Sequence, residues 1–297
     1  MKWMKRDSRR CFLLAPFPAG TRVLLLGAHP DDLEAAMPNT VAALVHWNCD
    51  VTMALATGGE YGASEKWRVF RGPRLRAIRR REMERAAAAY GLDRDGRPAV
   101  KLAWLGELDG HVRFDPRTYR KFVDFFERLD PRVVFLADPD LSIDHHGDHL
   151  NVARLALAWA RRRWDEGAQH GARPVTPRPP VLLAYFTVWA NCFVPFDPKR
   201  DLFPIMRVHR SQVNPATHRL FHAFTRAVQG YNRRKVGVLA EGFRWVGSGG
   251  APDWSTAPLG ARARRAIAAK FMAPLPRSHY LPPPEEVGLR VFPVEFG

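Results

Sequence analysis

Cysteine is nearly absent from this chain: Cys11, Cys49 and Cys192 are the only three in 297 residues, far apart and without a CxxC pair. That excludes a disulfide framework and a cysteine-based zinc site, and it points to a reducing cytoplasm. Long apolar runs are missing as well. No stretch is long and apolar enough to cross a bilayer, and the basic opening, Met1 to Arg10, runs into an apolar segment that Pro16 breaks too early for a signal peptide. Lysine is scarce, supplying 8 of the 46 basic residues. The arginines that make up the rest scatter through expected helices without an aromatic-interleaved stripe, so nucleic acid is not the expected partner. The formal charge of +16 therefore reads as an arginine-rich solvated surface, with peripheral contact to a membrane surface left open.

What is present is an α/β rhythm. Short apolar runs at 22–27, 51–57, 100–104 and 132–137 alternate with helix-type spacing at about 34–47, 73–90 and 116–129. Pro73 and Pro116 suit first helical turns, and Gly91 ends the second helix. A helix at 150–164, a Gly/Pro-punctuated connector at 167–180 and a strand at 181–188 follow. Weaker helical patterns at 204–210 and 215–229 precede a proline-rich end. The expected fold is a Rossmann-like three-layer α/β sandwich with a mostly parallel sheet. Its parts are an N-terminal extension (1–21), one α/β domain (22–246) and an irregular Pro/Gly-rich C-terminal extension (247–297) packed on that domain.

Two loops carry the chemistry. The run Val23-Leu24-Leu25-Leu26 ends in Gly27-Ala28-His29-Pro30-Asp31-Asp32, and Val133-Val134-Phe135-Leu136 leads to Asp144-His145-His146-Gly147-Asp148-His149. Open α/β sheets keep their active sites beyond the carboxyl ends of parallel strands. A catalytic zinc takes three imidazole or carboxylate ligands and leaves a position for water. His29 and Asp32 with one histidine of the second loop meet that need, and Asp31 is then free to take a proton from the water. Taken singly, each group has a plainer use: Pro30-Asp31-Asp32 can turn the chain and cap a helix, and Asp144 and Asp148 can do the same. Two such clusters at the ends of two parallel strands favour the metal.

These residues resemble a known family. Ala28-His29-Pro30-Asp31-Asp32-Leu33-Glu34 matches the AHPDDxE signature of the LmbE/PIG-L-like zinc-dependent N-acetylglucosaminyl deacetylases, and His146-Gly147-Asp148-His149 resembles their HPDH motif with glycine replacing proline. Thr57-Gly58-Gly59-Glu60, Arg79 with Glu82, Asp109, His209-Arg210-Ser211-Gln212 and Ala240-Glu241-Gly242-Phe243 resemble further elements of the family. The resemblance implies one Zn2+ per chain held by His29, Asp32 and His149, with Asp31 as general base. It further implies His146 as the acid or oxyanion-stabilising group and Asp148 as the residue that orients a neighbouring histidine. Arg79 and Asp109 match positions that face the substrate, and Glu60 and Arg68 are added from the adjoining loops. The implied substrate is a small N-acetylglucosamine-type conjugate. Lys66, Arg68 and Arg71 would suit an anionic aglycone, and a lipid aglycone and homo-oligomerisation stay open. His145 is a competing ligand, one residue out of register with His146.

Two rivals remain. Asp144-His145-His146 reproduces the DHH triplet of metal-dependent phosphoesterases, which clamp phosphate with two metals and need more carboxylates upstream than this chain supplies. A non-catalytic protein binding nucleic acid or an anionic surface would show steep salt dependence that survives loss of Asp31.

Overall fold

The computed structural model describes residues 11–93, 95–140, 143–144, 146–169 and 180–246. His145, most of the expected connector and both chain ends, including 247–297, lie outside the described residues.

Strands β1 (Phe12–Leu13), β2 (Arg22–Gly27), β3 (Asp50–Thr57), β4 (Val100–Glu107), β5 (Val133–Ala137), β6 (Val181–Tyr185), β7 (Cys192–Pro195) and β8 (Ala240–Val246) form one sheet. Its order is β1-β7-β8-β6-β5-β2-β3-β4. From β6 through β5, β2 and β3 to β4 all pairings are parallel, while β8 runs antiparallel to both β6 and β7. Every residue of β5 and β6, and all but the first of β2 and β3, is buried. A strand buried at every position has both faces covered, which is why these runs read as continuous apolar segments.

The helices are α1 (Asp32–Ala36), α2 (Pro38–His46), α3 (Pro73–Ala89), α4 (Pro116–Leu129), α5 (Gly147–Gln169) and α6 (Pro215–Val236). Proline opens four of them, and side chains at the preceding residue complete two caps. Asp115 accepts from Thr118 N at 2.8 Å, and Asn214 accepts from Ala216 N and Thr217 N at 2.9 and 2.8 Å. Between α4 and α5, Trp159 packs on Phe126 with tilted rings, centroids 4.9 Å apart, and donates to Glu127.

Several expectations need correcting. The single helix expected over 34–47 is two, because Pro38 has no N–H to continue the first and Met37 leaves helical geometry at φ −154°. The segment 204–210 is a short 3-10 helix, Phe203–Val208. Strands β1, β7 and β8 have no counterpart in the sequence reading.

The chain runs β2, β3, β4 to one side of the sheet and returns with β5 on the other side of β2. The strand order thus reverses between β2 and β5, and outside the carboxyl ends of the strands at such a point lies the crevice where these sheets bind ligands. The loops after β2 and β5 are the two that carry the histidines.

Candidate active site

The first loop is fixed by one carboxylate. Asp32 Oδ2 accepts from the backbone N–H groups of Ala28 and His29, both at 2.8 Å, which leaves Oδ1 turned to the crevice. Asp31 is the residue before α1, and its backbone is left-handed, φ 99° and ψ −21°. A non-glycine residue there is strained, and such strain concentrates at functional sites.

The second loop brings His149 against the first. His29 Nδ1 lies 3.0 Å from His149 Nε2, His149 Nε2 lies 3.2 Å from Asp32 Oδ1, and His29 Nδ1 lies 3.9 Å from the same oxygen. Zinc with ligands at roughly 2.0–2.1 Å in a tetrahedron spaces them about 3.3 Å apart, so this triangle has the right dimensions for one ion. His146 stands on a third side, its ring centroid 4.8 Å from that of His29 and 5.3 Å from that of His149.

The far side of each expected histidine ligand is held by a carboxylate. His29 Nε2 faces Asp109 Oδ1 at 3.0 Å and Asp148 Oδ2 at 3.2 Å, and His149 Nδ1 faces Asp144 Oδ2 at 2.7 Å. These acids are anchored in turn. Asp109 accepts from Tyr61 N and Gly62 N, Asp148 from Gly110 N and Val112 N, and Asp144 from His146 N. Carboxylates behind metal-binding imidazoles orient the rings and raise their basicity. The group His29, Asp109 and Asp148 also clusters closely enough to hold an ion, but its two acids already spend oxygens on backbone amides.

Electrostatics agree with a cation site. Burial opposes charge on His29, yet Asp109, with Asp148 and Asp32, outweighs it and pushes the imidazole up to about 10. His149 is raised in the same way against burial, by Asp32 and Asp144. Burial works against the Asp32 and Asp144 carboxylates too, but the His149 charge holds Asp32 well below its ordinary range and Asp144 at about 2. Protons on the imidazoles thus balance the carboxylate charge of the crevice, a role that a bound cation would take over. His146 is lowered, first by burial and then by the neighbouring His29 and His149 charges, while Asp148 N donates to its Nδ1 at 3.2 Å. A neutral His146 with an acceptor Nδ1 carries its proton on Nε2.

Asp31 is held from the other side. Arg79 of α3 donates to Asp31 Oδ1 at 3.1 Å, to Gly59 O at 2.8 Å and to Pro30 O. Burial raises the Asp31 carboxyl above its ordinary range, and Arg79 moderates the shift. One turn along α3, Glu82 accepts from Ser211 N at 2.9 Å and Ser211 Oγ at 2.6 Å. Gln212 reaches Gly62 O, and buried His209 faces Glu34 of α1 at 3.3 Å. The helix α3 therefore ties the 30–31, 57–62 and 209–212 loops together.

The structure gathers His29, Asp31, Asp32, His146, Asp148 and His149 into one crevice. It places the expected substrate contacts differently from one another. Arg79, Asp109 and Glu60 are buried and bonded to protein groups, Glu60 through one oxygen to Arg76, while Glu60 Oε2 and Arg79 Nε have no hydrogen-bond partner among the described residues. Arg68 is half-buried on the 3-10 segment Glu65–Phe70 beside the site. Sequence alone gives Asp144 the role of a turn former. Its contact with His149 was not foreseen, and its sole signal was its position five residues before a ligand candidate.

A family model described as PIG-L: GlcNAc-PI de-N-acetylase matches residues 24–160, which bears out the resemblance read from the motifs. Among solved structures, the chain is similar to the N,N'-diacetylchitobiose deacetylase from Pyrococcus horikoshii, at 26% identity and TM-score 0.64 over 76% of this chain and 84% of that one. It is similar to the conserved protein TT1542 from Thermus thermophilus, at 26% identity and TM-score 0.54 over 80% of this chain and 100% of that one. It also shares its fold with GalB, the 4-carboxy-2-hydroxymuconate hydratase from Pseudomonas putida, at 18% identity and TM-score 0.60 over 78% of this chain and 99% of that one. The last likeness concerns fold alone, and fold does not select a reaction. No curated protein matches the sequence.

Proposed function

We propose that this protein is a metal-dependent amide hydrolase that removes the acetyl group from the nitrogen of an N-acetylglucosamine-type conjugate. The family match supports the reaction class, and the triangle of His29 Nδ1, Asp32 Oδ1 and His149 Nε2 is the observation that carries the mechanism. Those three residues would hold one zinc ion, which when bound supplies a Lewis acid for the acetamide carbonyl and makes water acidic enough to ionise near neutral pH.

The chain's own groups do the rest. Asp31 Oδ1 is engaged by Arg79, so Oδ2 takes the proton from the attacking water. The water oxygen bonds to the acetyl carbon as the carbonyl π electrons move to oxygen. His146 donates a hydrogen bond from Nε2 to that oxygen as its charge grows. When the C–N bond breaks, Asp31 passes its proton to the departing nitrogen, giving acetate and a free amine. Asp109 and Asp148 keep Nδ1 of His29 turned inward, and Asp144 does the same for Nε2 of His149. The site lies on a cytoplasmic protein in this reading, and its conjugate carries a sugar next to the amide.

Asp31→Ala tests the proposal on zinc-loaded protein with a panel of N-acetylglucosamine conjugates, read by amine release. The variant should keep its zinc and lose at least about 100-fold in turnover. Unchanged turnover removes Asp31 from its role, and His149→Ala that retains one zinc per chain removes the ligand assignment. Two manganese ions per chain with phosphate release would establish the phosphoesterase instead.

A further inference from the structure

Helix α6 has its polar side inward. Positions 218, 222, 225, 229 and 232 share one face and carry His, His, Thr, Gln and Asn, and His218, Gln229 and Asn232 are buried. On the opposite face, positions 216, 220, 223 and 227 carry Ala, Leu, Ala and Ala, all exposed. Leu220 is 63% exposed, and Phe221 and Val228 beside it are 38% and 39% exposed. A surface helix normally shows the reverse arrangement. The helix also contains Arg219, Arg226, Arg233, Arg234 and Lys235 and no acidic residue. Arg219 and Arg233 are exposed and have no ion-pair partner among the described residues.

We propose that this outward face of α6 docks on an anionic lipid surface. Apolar side chains facing out, flanked by arginine and free of acids, are the makeup of helices that lie in a membrane interface, with the apolar row in the acyl boundary and the cations at the headgroups. The charge pattern decides between this occupant and a second copy of the chain. A two-fold contact through α6 would set its exposed Arg219, Arg233 and Arg234 against the same three with no acidic residue of the helix to pair them, whereas Arg226 is paired to Asp201 and Lys235 donates to Ala190 O. The overall charge of +16 has the same sign preference. Asn214, which caps α6, lies two residues after Gln212, whose amide donates to Gly62 O, and Gly62 N in turn donates to Asp109 behind His29. Through these contacts the N-terminal end of α6 is joined to the loop that packs behind His29.

The test uses the full chain and vesicles of phosphatidylcholine with and without phosphatidylglycerol, read by co-sedimentation. The protein should bind the phosphatidylglycerol vesicles and not the neutral ones, with affinity falling as salt rises. Leu220→Glu/Phe221→Glu should weaken binding by at least about tenfold while circular dichroism and turnover of a soluble conjugate stay unchanged. If that pair disturbs the fold, Leu220→Ser/Phe221→Ser serves in its place. Absence of vesicle binding, or binding indifferent to these substitutions, overturns the proposal. A concentration-dependent dimer that the substitutions dissolve, without vesicle binding, would assign the face to a second copy. Because the readout is sedimentation, the result stands apart from the deacetylase reading.

Discussion

Arg79 and Asp31, 48 residues apart in sequence, meet at 3.1 Å, and the same guanidinium holds the carbonyls of Gly59 and Pro30. A buried arginine so engaged fixes the position of the carboxylate it touches. Arg79→Ala should lower kcat by about 100-fold with little change in KM, since it misplaces the base without removing a substrate contact. Arg79 also holds the Asp31 carboxyl down against burial. A base works only when deprotonated, so activity is lost as pH falls through its pKa, and removing Arg79 should move that loss to higher pH. Steady-state kinetics across pH check both, and an unmoved acid limb would separate the two residues.

Gly59 should be as sensitive as Arg79 itself. Its φ is +63°, and a Cβ there would stand 2.0 Å from Arg79 Nη1. Gly59→Ala must therefore push the guanidinium away as well as bear left-handed strain. The expected result is retained zinc content with turnover near that of Arg79→Ala.

Metal binding should release protons. With His29 at about 10 and His149 raised, the metal-free site carries protons at neutral pH that ligation must expel. Zinc affinity should rise with pH, and the calorimetric enthalpy should vary with the ionisation enthalpy of the buffer. The sign for the metal-free fold follows from linkage. A histidine raised from 6.5 to about 10 stabilises fully below 6.5, and that stabilisation is lost as pH rises towards 10. Thermal melts of metal-free protein should fall over that range, and those of the zinc form should not follow them.

A helix cap supplied by a strand distant in sequence accounts for Glu241. Met37 offers no side-chain cap to α2, and Glu241 of β8 accepts from Asn39 N at 3.0 Å and Thr40 N at 2.7 Å instead. Glu241→Ala should cost about 1–3 kcal/mol in denaturant unfolding, from orphaned amides at the positive end of a helix. Turnover per folded molecule should be preserved.

The parts of the fold legible in the sequence are those with continuous apolar runs or clear helical spacing: β2 to β6, the helices opened by Pro73 and Pro116, and the middle of α5. The convergence of His29, Asp32 and His149 was legible because strand ends in a parallel sheet lie on one edge. Burial was not. Arg79 and Asp109 have the residue types of sugar contacts, and only tertiary packing reveals that backbone groups of other loops claim them. Strand β8 was hidden because Ala240-Glu241-Gly242-Phe243 lacks strict alternation: Glu241 is buried as a cap beside buried Ala240. The polar interior of α6 inverts the rule by which an apolar stripe marks the core.

The left-handed backbone at Asp31 sets stability against chemistry. Glycine would sit there without the roughly 1–3 kcal/mol that such a conformation costs other residues, so Asp31→Gly exchanges a proton acceptor for a more relaxed chain. Under the proposed mechanism that exchange would raise thermal resilience and abolish turnover together.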